Sequence, residues 1–168
     1  MVAAVATALL AAAAPPTRGA APPAAAAAPA GAVVDDLRFR NAQGGEIRLG
    51  DLRGRIVVLY TFTSAAPAAR TTLEQLSRLD ARADCDLVIL ALSLDRDPRD
   101  LARLLEAARP RIAMLLDGSG ELASALGVGA APVACVLDRQ GAIRGRHALE
   151  SGDDFGPLEG AVAALLGR

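Results

Sequence analysis

The 168-residue chain is long enough for one domain. Its formal net charge of −1 gives no overall electrostatic support to a nucleic-acid or anionic-membrane partner. All 18 basic residues are arginine, and with three Phe, one Tyr and no Trp the core has to be built from Leu, Val, Ile and Ala.

Residues 1–14, MVAAVATALLAAAA, form a short apolar run ending in small residues, as in the hydrophobic region and A-x-A cleavage site of a signal peptide. No Arg or Lys precedes the run, and an Ala-rich tail is the competing reading. It is too short to span a bilayer as a helix. Residues 15–32 are rich in Pro and Ala, and the prolines interrupt any helix the alanines would start, which gives a semi-extended linker. A domain over 33–168 on this tether is expected to be exported, periplasmic or otherwise extracytoplasmic. Membrane attachment through an uncleaved N-terminus is the variant of that reading.

Within the domain, Leu37 and Phe39 alternate with Arg38 and Arg40. AQGG at 42–45 makes a turn, and Ile47 and Leu49 alternate beyond it, which predicts a β-hairpin. The run from Ile56, IVVLYTF, is apolar, β-branched and aromatic, and reads as a buried strand. A turn with Ser64 and Pro67 follows, then a helix over 68–81 with Leu73, Leu76 and Leu79 at helical spacing. Leu87 to Leu94 reads as a buried parallel strand. Asp97 and Pro98 supply an N-cap and a first helical residue, Leu101, Leu104 and Leu105 form the apolar face, and Pro110 ends the helix. Ile112 to Leu116 is a short strand, and a short helix runs to Leu126 with Gly127 as its C-cap. Val133 to Leu137 and Ala142 to Ala148 are strands joined by a turn at 138–141. Phe155 to Leu166 is a helix that the acidic pair Asp153-Asp154 is expected to cap. The order reads as β-α-β-α-β-β-α after an N-terminal hairpin, an α/β mixed sheet with helices on both faces.

Two stretches carry a resemblance. Ile56 to Leu76, a strand–turn–helix, resembles the active-site unit of thioredoxin-like proteins. GVGAAPVACVLDRQGAI, from Gly127 to Ile143, resembles a segment of the TlpA/ResA disulfide reductases and the peroxiredoxins. The resemblance covers about residues 35–167 and implies a thioredoxin-like fold. It also implies a cis peptide at Ala131–Pro132, facing the active-site turn. In a TlpA-like alignment Ala66 and Ala69 stand where the family has cysteines; in a copper-chaperone (SCO-like) alignment Ala65 and Ala69 do. The same alanines are what a deliberate replacement of the thiols would leave.

Disulfide exchange needs a thiolate to attack and a second thiol to resolve the mixed disulfide. A helix N-terminus favours the thiolate, but alanine supplies neither nucleophile nor leaving group, and a hydroxyl does not replace them. Thr63 and Ser64 read as turn or cap residues. The remaining thiols are Cys85, just before one strand, and Cys135, inside another. In the thioredoxin topology these two strands flank the central one, two spacings of about 4.8 Å apart, so no Cys85–Cys135 bond is expected. Both read as buried small hydrophobes. His147, the only histidine, reads as a surface strand residue and makes no zinc or copper site alone. No metal and no cofactor are expected.

Three functions compete. The first is a redox-inactive protein that binds a protein or peptide partner in the groove between the Ala66 turn and Pro132. The second is an active thiol-disulfide oxidoreductase or peroxiredoxin-like antioxidant using Cys85 or Cys135. The third, weaker, is a copper chaperone.

Overall fold

The computed structural model describes residues 31, 33, 37–41, 45–82, 86–128, 132–151 and 154–167. The strands are β1 (Arg38–Asn41), β2 (Glu46–Arg48), β3 (Ile56–Phe62), β4 (Leu87–Ser93), β5 (Ala113–Leu116), β6 (Val133–Leu137) and β7 (Ile143–Ala148). The helices are α1 (Ala69–Arg82), α2 (Pro98–Ala108), α3 (Glu121–Ala125) and α4 (Phe155–Leu166). After the hairpin the order is β-α-β-α-β-α-β-β-α: the strand and short helix read at 112–116 and up to Leu126 are both formed, and the summary order β-α-β-α-β-β-α is corrected by one strand and one helix. Both β5 and α3 take full places in the fold, although each is only four or five residues long.

All seven residues of β3 are buried. An apolar run without polar alternation belongs at the centre of a sheet covered on both faces, and β3 lies there. It pairs in parallel with β4 and antiparallel with β6 in a seven-stranded sheet ordered β2-β1-β5-β4-β3-β6-β7. The predicted hairpin, β1 and β2, extends the β5 edge. Alternate β3 side chains feed two cores. Ile56, Val58, Tyr60 and Phe62 meet α1, α2 and α4, whereas Val57 and Leu59 meet α3, the 3-10 turn at Leu49–Leu52 and Phe39. The helices thus lie on both faces, with the three long ones on one side.

Local signals set the helix ends. The Asp97 carboxylate accepts from the Arg99 amide at 2.9 Å, with Pro98 in the first turn. Beyond α3, the Gly127 amide donates to the Ser124 carbonyl (2.9 Å) and the Val128 amide to the Ala123 carbonyl (3.0 Å). This doubly closed end needs the left-handed conformation that Gly127 adopts at φ 65°. Asp154 corrects an expectation. It sits at the N-cap of α4, but its carboxylate accepts from the amide and hydroxyl of Ser151 (3.0 and 2.9 Å) and leaves the helix amides alone. Asp153 lies outside the described residues.

The β6–β7 turn is organised by Asp138. Its buried carboxylate accepts from the amides of Gln140 (2.9 Å) and Ala142 (3.0 Å) and pairs with Arg144. Burial alone would raise its pKa. The Ala142 amide, the Arg144 guanidinium and the Gln140 amide outweigh burial and hold it below the ordinary carboxylate value. A pKa depressed by folding means that the unfolded chain binds the proton more readily. The stabilisation is therefore complete above about pH 4, the unfolded value, and is lost as pH falls through the folded one. Asp138→Asn keeps an amide acceptor but loses the ion pair. It is expected to cost about 1–2 kcal/mol at neutral pH and to flatten the acid limb of a urea-midpoint-against-pH curve.

Before β1, the Gly31 amide donates to the Ile143 carbonyl at 2.8 Å, and Val33 bridges Ala142. The predicted leader over 1–14, and the linker apart from Gly31, lie outside the described residues.

Candidate functional site

The C-terminal ends of β3 and β4 run together, with the Leu94 amide donating to the Phe62 carbonyl at 2.8 Å. The chain then turns through 63–68 into α1. The Ala66 amide donates to the Thr63 carbonyl and the Ala69 amide to the Ala66 carbonyl, each at 3.0 Å. Asp95, just after β4, braces the turn. Its carboxylate accepts from the Ser64 amide (3.0 Å), the Ser64 hydroxyl (2.9 Å) and the Ser93 hydroxyl (2.8 Å). Ser64 therefore acts as a cross-strand tie. A shallow depression of about 440 Å³ beside the turn is lined by Ser64, Ala65, Asp95, Asp100, Arg103 and Leu104.

The three alanines differ in access. Ala65 is exposed, Ala66 is half-buried against the long-helix core, and Ala69 is 0% exposed. The start of α1 carries the positive end of the helix dipole, and its first turn holds no acidic side chain. An anion at Ala66 would be favoured there, but no side chain supplies one.

Pro132 comes to the same end of the sheet. The β3–β6 register pairs Thr61 with Val133 and, continued by one residue, sets Pro132 level with Phe62 at the edge of the turn. The Thr61 hydroxyl donates to the Val133 carbonyl (3.1 Å) and the Leu149 amide to the Pro132 carbonyl (2.8 Å), which fixes this corner. Ala131, and with it the expected cis bond, lies outside the described residues.

Cys135 is not brought to the site. It pairs with Leu59 and faces the α3 core, whereas Ala66 and Ala69 pack into the α1 core on the other side of the sheet. It is a free thiol, 0% exposed. Burial pushes its pKa up to about 11, and the nearby Arg146 charge only partly opposes this. About one molecule in a thousand would carry the thiolate at about pH 8. In a Cys85→Ser background, iodoacetamide at about pH 8 is expected to leave the folded protein unmodified and to alkylate Cys135 once denaturant is added. Modification of the folded chain at the unfolded rate would contradict this placement. Cys85 lies outside the described residues.

His147 differs from its predicted surface role. It is half-buried opposite Ala134, and its ring folds over Gly145, where a Cβ would meet Nε2 at 3.0 Å. Nε2 is buried with no hydrogen-bond partner. Gly145 leaves that space free for the ring. Among the described residues, no group of three or more His, Cys, Asp or Glu is placed to hold a metal ion. No described helix is long and apolar enough to cross a membrane.

Two features behind the turn escaped the sequence reading. Asp95 was signalled only by its place two residues after Ser93, a spacing that lets a short polar side chain bond locally. Tyr60 lies fully buried behind the start of α1, stacked on Phe62 with centroids 5.3 Å apart. Burial pushes its phenol up to about 12, and the neighbouring Thr72 hydroxyl partly opposes the shift, although neither oxygen reaches full hydrogen-bond geometry.

A β3-turn-α1-β4 unit in parallel, with a proline opening the antiparallel strand beside the turn, defines a thioredoxin-like protein. The chain belongs to the AhpC/TSA family, whose model matches residues 29–146. No curated protein sequence matches it. Among solved structures, the chain is similar to a candidate thiol:disulfide interchange protein, DsbE, from Chlorobium tepidum. That match has 22% identity and a TM-score of 0.76, over 82% of this chain and 98% of the other. It is also similar to a secreted disulfide oxidoreductase of Mycobacterium tuberculosis, at 20% identity and a TM-score of 0.64, over 77% and 96% of the two chains. A third is StoA from Bacillus subtilis, at 19% identity and a TM-score of 0.60, over 69% and 89%. At these identities the likeness is one of fold.

Proposed function

We propose that this is an exported member of the family that has lost thiol–disulfide exchange and binds a protein or peptide partner along the surface between the 63–68 turn and Pro132. One observation carries the reading: the turn is still braced by Asp95, with Pro132 at the same end of the sheet, yet Ala65, Ala66 and Ala69 fill it without a thiol. Backbone pairing to an extended segment needs no thiol. Export is supported by the apolar run over 1–14 with its Pro/Ala-rich linker, and by the fold shared with a secreted oxidoreductase. The enzymatic alternative requires an accessible thiolate, which the burial of Cys135 opposes.

The test is calorimetric titration of the full chain with a reduced, carboxymethylated polypeptide, which is unfolded and free of disulfides. Saturable binding is expected. Ala65→Arg, at an exposed position, should weaken it about tenfold, a loss of about 1.4 kcal/mol. Cys85→Ser and Cys135→Ala should leave it unchanged. Binding abolished by the cysteine variants and indifferent to Ala65→Arg would overturn the proposal.

A further inference from the structure

A second surface lies along the C-terminal half of α1, centred about 13 Å along the helix from its start at the turn. There the C-terminal ends of α1 and α2 enclose a depression of about 350 Å³. Arg78, Arg109 and Arg111 line it, with Glu74, Ser77 and two alanines. None of the three guanidiniums makes an ion pair or side-chain hydrogen bond with a described residue. Glu74 is already paired with Arg70 at 3.1 Å. The carbonyl ends of two helices contribute together about one negative charge. Three positive charges against that leave the depression cationic.

The backbone fixes where these arginines stand. Ser77 Oγ accepts from the Arg111 amide at 3.2 Å and donates to the Leu73 carbonyl at 2.8 Å, which ties the start of β5 to α1. Arg109 closes α2 with its amide on the Leu105 carbonyl at 2.9 Å. It does so at φ 44°, the one non-glycine positive φ among the described residues. Glycine is the usual residue at such a helix end, because a Cβ is strained there. The chain instead places a guanidinium at this strained position, on the rim of a cationic depression. Backbone strain of this kind concentrates at ligand sites.

We infer that this depression binds a phosphate-class oxyanion, separately from the surface beside the turn. Guanidinium forks match the paired oxygens of phosphate groups and hold them bidentately. Two sources carry that chemistry: a free phosphate compound and a phosphorylated side chain of a protein.

The test is calorimetric titration of the full chain with inorganic pyrophosphate, with a phosphoserine peptide as a second arm. Saturable binding is expected in at least one arm, and the tighter arm identifies the source. Arg78→Ala, Arg111→Ala and Arg109→Gly should each weaken it about tenfold. Arg96→Ala, an equal loss of charge at an exposed position outside the depression, should change it less than about twofold. Arg109→Gly also removes the strained φ. It is expected to raise the melting temperature by about 1–3 °C while weakening binding, a pairing that a purely structural arginine would not produce. Equal weakening by Arg96→Ala, or no saturable binding at about 10 mM of either ligand, would overturn the inference.

Discussion

Asp95→Ala is expected to destabilise the protein by about 2–4 kcal/mol, read as a lowered urea midpoint at unchanged slope. The carboxylate accepts from the amide and hydroxyl of Ser64 and from the hydroxyl of Ser93, the last 0% exposed. Hydrogen bonds to a charged acceptor contribute about 1.5–3 kcal/mol each, but three sharing one acceptor do not add. Most of the loss comes from donors left unpaired at the junction of β3, β4 and the turn. Asp95→Asn discriminates between bonding and charge: its carbonyl can still accept from Ser64 and its amide can donate to Ser93 Oγ. The asparagine variant should lose about 1 kcal/mol. Equal losses in the two variants would mean that charge, and not the hydrogen-bond tie, braces the turn.

Leu73→Ala should cost about 2–5 kcal/mol, the range for a fully buried leucine whose cavity cannot collapse. Leu73 is 0% exposed and, with Leu76, fixes α1 over Tyr60 and Phe62. The corresponding fall in melting temperature is about 2–4 °C for each kcal/mol in a chain of this size. Leu79→Ala, on the same helix but only partly buried, should cost clearly less. Because Ala69 and Leu73 are one helical turn apart, loosening Leu73 should also loosen the turn. Thus the Leu73 variant should lose polypeptide binding as well as stability, whereas Leu79→Ala should retain it.

What the sequence made readable was local or periodic. The β3 run announced a central strand because a seven-residue run whose only aliphatic polar side chain is Thr61, with no polar alternation, fits a strand buried on both faces. Asp97-Pro98 and Gly127 announced their helix ends because a cap acts within a few residues. The features that define the site are longer in reach. The Ser64–Asp95 tie joins residues 31 apart, and nothing in either local pattern selects the other. His147 read as a surface residue because strand alternation does not reveal that its ring folds back over Gly145. Asp154 has the composition of a helix cap but is drawn backwards by Ser151, a competition between two nearby donors that residue type alone does not decide. The alanines at 65, 66 and 69 were plain in the sequence; their unequal exposure was not, because it depends on how α1 leans on the sheet.

The most direct test of the central claim is thiol-disulfide reductase turnover of the protein as it stands, beside a version carrying Ala66→Cys and Ala69→Cys. The pair would stand at the start of α1, one thiol half-accessible and one enclosed. Turnover at the uncatalysed rate is expected for the protein as it stands, and catalysed turnover for the restored pair. Catalysed turnover by the protein as it stands, abolished by Cys85→Ser or Cys135→Ala, would show that a remaining thiol does the chemistry and contradict a site that binds without exchanging.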